Sequence, residues 1–278
     1  MSPRLRIGLP AWAFSGWRGR YFEDTPSPLA SYARVFNAVE GNTTFYRIPD
    51  RNTVSQWQRA TDGRPFEFCF KLPRAVTHDA RPDLGELAAF LDAVGPLGDR
   101  LGPLLLQFPA AVGPEELGRF ECVFSTVCDR HRAVLEVRHD AFYSDPDRIE
   151  PLLERFRLGR VVLDTRALYA GDPDHPDVRA ARHEKPDLPV QPQARSGLVF
   201  VRLVLHPDFS GNDERLREWA ERAAGYLADD QRVYLMVHCP NNLYCPDLAA
   251  TLHGHLRARV PDLEPLPSWP VPQQARLI

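Results

Sequence analysis

Short runs of apolar and β-branched residues recur along the chain, at 5–9, 38–42, 67–72, 103–108, 133–138, 160–164, 198–205 and 232–238. Runs of this length and composition, bounded by turn residues, predict buried strands. Between most of them the apolar spacing changes to three and four. In "NDERLREWAERAAGYLADD", Leu216, Trp219, Ala220, Ala223 and Leu227 form one helical stripe, with Asn212 placed to cap its start. Further helices are predicted over 27–36, 53–60, 83–94, 114–127, 145–155 and 246–257. Thr53 and Asp145 are the expected caps there, and Pro114, Pro146 and Pro246 suit a first helical turn.

Strands alternating with helices, joined by connections too long for hairpins, imply parallel crossovers. Eight such units predict an α/β fold, a single (β/α)8 TIM-type barrel spanning residues 1–278. An open doubly wound sheet is the alternative, because periodicity does not report closure. Residues 166–197, rich in Pro and Asp, interrupt the rhythm and are expected as a long loop insertion between strands six and seven. The Pro-rich tail, 261–278, is expected to wrap the domain or hang loose.

The strands also end alike. Glu40 and Asn42, Lys71, Gln107, Glu136 and Arg138, Asp164, Arg202 and His238 all sit at the C-terminal ends of predicted strands. In a barrel these ends surround one mouth, where barrel enzymes keep their sites. Many charges in a barrel interior are expensive to bury without a ligand or mutual pairing, so the pattern predicts a functional pocket. Phe45, Tyr46 and Trp12 are expected near its wall, with Arg18 and Trp17, and His78 follows a strand end. His131, His253 and His255 are expected at the surface. "SGND", 210–213, opens a helix after the seventh strand, where barrels often bind phosphate, but Asp213 would repel an anion.

The bulk numbers narrow the partners. A net charge of −3 and a pI near 6.3 argue against a nucleic-acid or membrane-surface protein. Five cysteines without a C-x-x-C support neither a disulfide framework nor a zinc knuckle. The N-terminal stretch lacks the apolar core of a signal peptide, and a cytoplasmic location is expected.

The pocket chemistry leaves two classes open. In one, an enzyme holds a small polar or anionic substrate, sugar-like or phosphorylated, with Lys71, Arg138 and Arg202, while Glu40, Glu136 or Asp164 moves protons and Lys71 steadies an enolate oxygen. Asn42, His78, Gln107 and His238 would add contacts, and Trp12 and Tyr46 would face a sugar ring. In the other, the mouth is a non-catalytic binding or sensor site for an anionic metabolite or a phosphate-bearing partner. No cofactor is predicted. A divalent metal on Glu40, Glu136, Asp164 and His238 is an option that the neighbouring cations oppose. Gln107 and Arg202 at the fourth and seventh strand ends leave the two-carboxylate glycosidase mechanism without its usual geometry.

The segments "EGNTTFYRIP", "FCFKLPRAVTH", "LGPLLLQFP", "LEVRH" and "VVLDTR" resemble, in order and spacing, those of the domain of unknown function 72 family, the YecE-like proteins. The resemblance covers nearly the whole chain and implies a TIM-type barrel with a polar mouth. The family is loosely described as related to sugar isomerases, without an established reaction. By motif it carries over Glu40, Asn42, Thr44, Tyr46, Lys71, His78, Gln107, Glu136, Arg138, His139, Asp164 and Arg202. "FVRLVLHPD" departs from the family's Arg-Leu-His-Gly pattern at the seventh strand.

Overall fold

The computed structural model describes residues 4–22, 25–193, 196–207 and 211–269. Each predicted run forms a strand: β1 (Leu5–Leu9), β2 (Ala38–Gly41), β3 (Glu67–Phe70), β4 (Leu104–Gln107), β5 (Ala133–Glu136), β6 (Gly159–Asp164), β7 (Leu198–Val204) and β8 (Arg232–His238). Neighbours run parallel in the order β3-β2-β1-β8-β7-β6-β5-β4. The two ends of that order meet. Phe68 pairs with Leu101 and Lys71 with Leu105, and the Leu72 N–H donates to the Leu105 carbonyl at 3.1 Å. The seam is held by bridges rather than a full ladder, and the architecture is a TIM-type barrel, not an open sheet.

Because side chains alternate along a strand, one parity of each strand fills the barrel. Ala38, Cys69, Leu105, Val134, Val161, Phe200, Tyr234 and Met236 make an apolar middle tier. Gly8 belongs to it on β1, where a Cβ would lie 2.4 Å from the Ala38 carbonyl oxygen. Below, at the N-terminal end, Glu67 accepts from Arg6 at 2.9 Å, Arg132 at 3.0 Å and the Tyr234 hydroxyl at 2.7 Å, a polar plug. Two residues further along each strand the same parity brings Glu40, Lys71, Gln107, Glu136, Arg202 and His238 to the top.

Helices cover the outside. The stripe Leu216, Trp219, Ala220 and Ala223 of helix Asp213–Ala228 is buried as its spacing predicts. Several local expectations fail for identifiable reasons. Asn212 makes no side-chain cap; its amide instead bonds the backbone N–H and C=O of His206, at 3.0 and 2.8 Å. Asp50, not Thr53, caps helix Arg51–Ala60 by accepting from the Thr53 N–H at 2.7 Å. The helix expected at 145–155 begins only at Glu150, after a 3-10 turn. The one expected at 114–127 divides into Pro114–Leu117, a 3-10 turn and Glu121–Cys128. His253 is buried, 2% exposed, in helix Cys245–Arg257 rather than at the surface.

The segment after β6 is not a structureless loop. It forms helices Arg166–Ala170 and Pro176–Glu184, the second with Pro176 in its first turn and His175 capping it. Val178 and Ala181 bury against Leu163, Leu168 and Val204, and Arg182 donates to the Leu168 carbonyl at 2.9 Å. Two apolar contacts per short helix are too few to stand out as periodicity. Of the tail, Leu263 is buried and the Trp269 ring packs against Phe36, Tyr21 and Phe22; residues 270–278 lie outside the described residues. No helix among the described residues is long and apolar enough to cross a membrane.

Candidate functional site

Arg202 organises the top tier. Its Nε and Nη2 each reach one oxygen of Glu40 at 2.8 Å, and its Nη1 reaches Glu136 at 2.6 Å. The other Glu136 oxygen accepts from Arg138 Nε at 2.7 Å, while Glu40 is also bonded to Asn42 at 3.0 Å and lies 3.1 Å from His238 Nε2. Burial alone would raise both carboxyl pKa values. The adjoining cations overcome it: Arg202 and Arg138 hold Glu136 down at about 2, and Arg202 and His238 hold Glu40 well below the ordinary carboxylate range. Both are therefore ionised and saturated, and neither lines the open space above.

That space is a cavity of about 710 Å³. Its floor includes Lys71, Gln107, Arg202 and His238; Asn42, Phe45, Tyr46, Arg74, His78 and Arg138 form much of its wall. The segment after β6 supplies Arg182, His183, Glu184, Lys185 and Pro186, held over the mouth by Arg138 Nη1, which donates to the Glu184 carbonyl at 2.6 Å. A larger cleft of about 890 Å³ lies among helix ends, lined by residues such as Asp92, Arg130 and Arg155, and contains none of the strand-end groups.

The cavity is cationic. Lys71 Nζ sits 3.7 Å from the Phe45 ring centroid, and neither its amine nor that of Lys185 has an ion pair or hydrogen bond with a described residue. Burial lowers the Lys71 pKa to about 8, assisted by Arg202 and Arg138 and opposed by Glu136. Lys185 is lowered as well, by burial and by Arg202. His78, stacked edge-on to Phe45 with its Nδ1 2.8 Å from the Thr77 hydroxyl, falls to about 4 through burial and nearby Lys71, so it is neutral at physiological pH.

Several expected site residues lie elsewhere. On β6 the inward parity falls on Val161 and Leu163, so Asp164 points into the helix layer. There it accepts from Trp219 Nε1 and Arg166 Nη2, both at 2.7 Å. The Trp12 ring packs edge-on to Trp57 and Phe68 and does not line the cavity. Trp17 is fully buried, and Arg18 is outside the cavity lining. Thr44 is buried and donates to the Lys71 carbonyl at 2.7 Å, fixing the backbone that presents Lys71. His139 Nδ1 accepts from the Ala141 N–H at 3.1 Å, starting a short helix away from the cavity. His206, in the departing seventh-strand segment, is buried beside His175 and Asp172 of the insertion rather than in the mouth. Of "SGND", Ser210 lies outside the described residues, and Asp213 pairs with Arg217 and His255.

Arg74, Arg182, Glu184 and Lys185 were not singled out by the sequence; the cationic "RHEK" at the end of helix Pro176–Glu184 was the available signal. Among the described residues no group of three or more His, Cys, Asp or Glu side chains is arranged to hold a metal ion. With Arg202 between Glu40 and Glu136, and Asp164 facing outward, the four groups weighed as metal ligands do not converge.

Fold and site define a class: a (β/α)8 barrel with a cationic C-terminal mouth. The chain belongs to the DUF72 family, a family of proteins of unknown function, which it matches over residues 6–274. It is 32% identical over 280 residues to the UPF0759 protein YecE of Escherichia coli K12, covering 98% of this chain and 99% of that one, and equally to YecE of Escherichia coli O157:H7. Crystal structures of DUF72 family proteins from Enterococcus faecalis and Thermotoga maritima share the fold, with TM-scores of 0.66 and 0.65 at 18% and 20% identity. They cover 94% and 93% of this chain and 98% and 99% of theirs.

Proposed function

We propose that the mouth binds a small molecule bearing a phosphate or carboxylate group, and that the protein is an enzyme whose reactive group is Lys71. The observation that carries this reading is the pair of amines, Lys71 and Lys185, facing one cavity without a carboxylate partner among the described residues. Glu136, the carboxylate that acts most on Lys71, is already bonded by Arg202 and Arg138. A partly buried ammonium without an ion pair or hydrogen bond of its own is costly, and an anionic ligand supplies that contact. Acid–base work by Glu40 or Glu136 is disfavoured, because each is ionised and already hydrogen-bonded by arginine. Lys71, with a pKa near working pH, is better matched to proton transfer.

That same saturation of the carboxylates favours a second reading, in which the mouth binds its anion without turning it over. Calorimetry with inorganic phosphate, glucose 6-phosphate and uncharged glucose tests the shared part: the two anions should bind and glucose should not. Equal binding of glucose, or no binding of either anion, would sink it. Turnover of a bound ligand by the wild type but not by K71R separates the enzyme from the binder.

A further inference from the structure

The chain has 34 lysine and arginine residues, and only two of them are lysines: Lys71 and Lys185. Both line the same cavity. The other 32 are arginines, found in surface pairs such as Arg217 with Asp213, in the plug around Glu67, and in the mouth itself, where Arg202 grips Glu40. The two residue types differ less in charge than in what they do with a proton. A guanidinium keeps its proton at any pH a protein meets, whereas an ammonium releases one and becomes a primary amine nucleophile. The side-chain ammonium groups able to become nucleophiles are thus confined to the barrel mouth.

Their placement differs. Lys71 stands at the rigid end of a barrel strand, its carbonyl held by the Thr44 hydroxyl and its Nζ against the apolar face of Phe45. Lys185 comes from the segment over the mouth, whose backbone is anchored where the Tyr169 hydroxyl donates to the Lys185 carbonyl at 2.9 Å. A reacting amine needs the fixed position, and a charge that receives an anion works from the rim.

We propose that Lys71 forms an imine with a carbonyl carbon of the ligand, which makes the substrate an aldehyde or ketone carrying a phosphate or carboxylate. This rests on the reading of the mouth as an anion site, with Lys185, Arg138 and Arg74 receiving the anionic group while the carbonyl lies at the floor. The neutral Lys71 amine adds its lone pair to the carbonyl carbon, and the carbonyl oxygen takes up a proton from the nitrogen, giving a carbinolamine. The C–O bond then breaks and water leaves, with the second amine proton, as the C=N bond forms. One carbonyl and one amine become one imine and one water, and no further reactant is required. Burial and the neighbouring arginines, which lower the Lys71 pKa to about 8, keep a usable fraction of the amine neutral.

The test uses pyridoxal 5′-phosphate as an anionic aldehyde probe and pyridoxine 5′-phosphate, which lacks the aldehyde, as its comparator. The full chain is incubated with the probe at pH 8, reduced with borohydride and peptide-mapped by mass spectrometry. With two lysines and one α-amino group in the chain, the adduct can be assigned without ambiguity. The expected result is a Lys71 adduct that the comparator suppresses at least about tenfold, while labelling of the α-amino group is unchanged. K71R should lose that adduct and still bind the comparator. Comparator binding with adducts only on Lys185 or the α-amino group, or a Lys71 adduct the comparator does not suppress, would overturn the imine and leave the anion site standing. Failure of the comparator to bind would bring down both. The wild-type map reads the outcome even where K71R does not fold.

Discussion

Arg202 on β7 chelates Glu40 on β2 across the barrel, with Nε and Nη2 each 2.8 Å from a separate carboxylate oxygen. The remaining nitrogen holds Glu136, so one guanidinium ties three strands together inside the fold. Removing one partner of such a buried network strands the others as uncompensated charges, at a cost of about 3–5 kcal/mol. R202M should therefore lower unfolding stability by roughly that amount. Adding E40Q and E136Q to R202M should recover part of the loss. Urea denaturation of the two variants checks this, and a cost below about 1 kcal/mol for R202M would show that the network is not closed as described.

The same network sets an acid limit. Glu136 is held at about 2 in the folded protein, against about 4.3 for a free glutamate. A depressed carboxyl contributes stability that is complete above its unfolded pKa and drains as pH falls toward its folded one. Stability should decline from about pH 5 downward through this window, with Glu40 adding in the same direction. Denaturant midpoints measured between pH 6 and 3 should fall less steeply for E136Q than for the wild type.

Lys71 works with the opposite sign. Its folded pKa of about 8 lies below the ordinary value, so its charge opposes folding at neutral pH, and the penalty disappears as pH rises from about 8 toward 10.4. K71M, which keeps the bulk and removes the charge, should raise the ligand-free stability by about 1–3 kcal/mol and weaken, without abolishing, the thermal shift caused by phosphate. A K71M protein less stable than the wild type would argue that a counter-ion already sits beside this amine.

Arg138 links the mouth to the segment above it through the Glu184 carbonyl. A hydrogen bond from a charged donor is worth about 1.5–3 kcal/mol. R138A should therefore speed amide exchange in helix Pro176–Glu184 roughly tenfold or more. Hydrogen exchange read by mass spectrometry would show this, and unchanged protection there would mean that the Val178 and Ala181 packing and the Arg182 and Tyr169 hydrogen bonds suffice to hold the helix.

Asp164 separates structure from site. Its partners are Trp219 and Arg166, in the helix layer. D164N should cost about 1–3 kcal/mol of stability while leaving phosphate affinity intact, as calorimetry on the folded variant would show. A large affinity loss would return this residue to the mouth.

The strands and their polar ends were readable because strand parity is a local property. Ala38 with Glu40, Cys69 with Lys71, Leu105 with Gln107, Val134 with Glu136, Phe200 with Arg202 and Met236 with His238 each stand two apart. An apolar interior residue therefore predicts the residue that follows it at the mouth. Asp164 shows the limit of that argument. It follows Leu163 by one residue rather than two, and an apolar run such as "RVVLD" does not say which parity faces inward. The helices after β6 escaped because each buries too few apolar residues to leave a period.

What the sequence determined by itself was the number and order of the β/α units and which residue types would reach the barrel top. Both follow from spacing along the chain. Tertiary structure alone decided that the seam between β3 and β4 is joined and that Arg202 neutralises Glu40 and Glu136. It also carried Lys185 over the cavity that holds Lys71. Those are encounters between residues separated by up to 162 positions. Charge pairing and burial depend on distance through space, which hydrophobic periodicity does not encode.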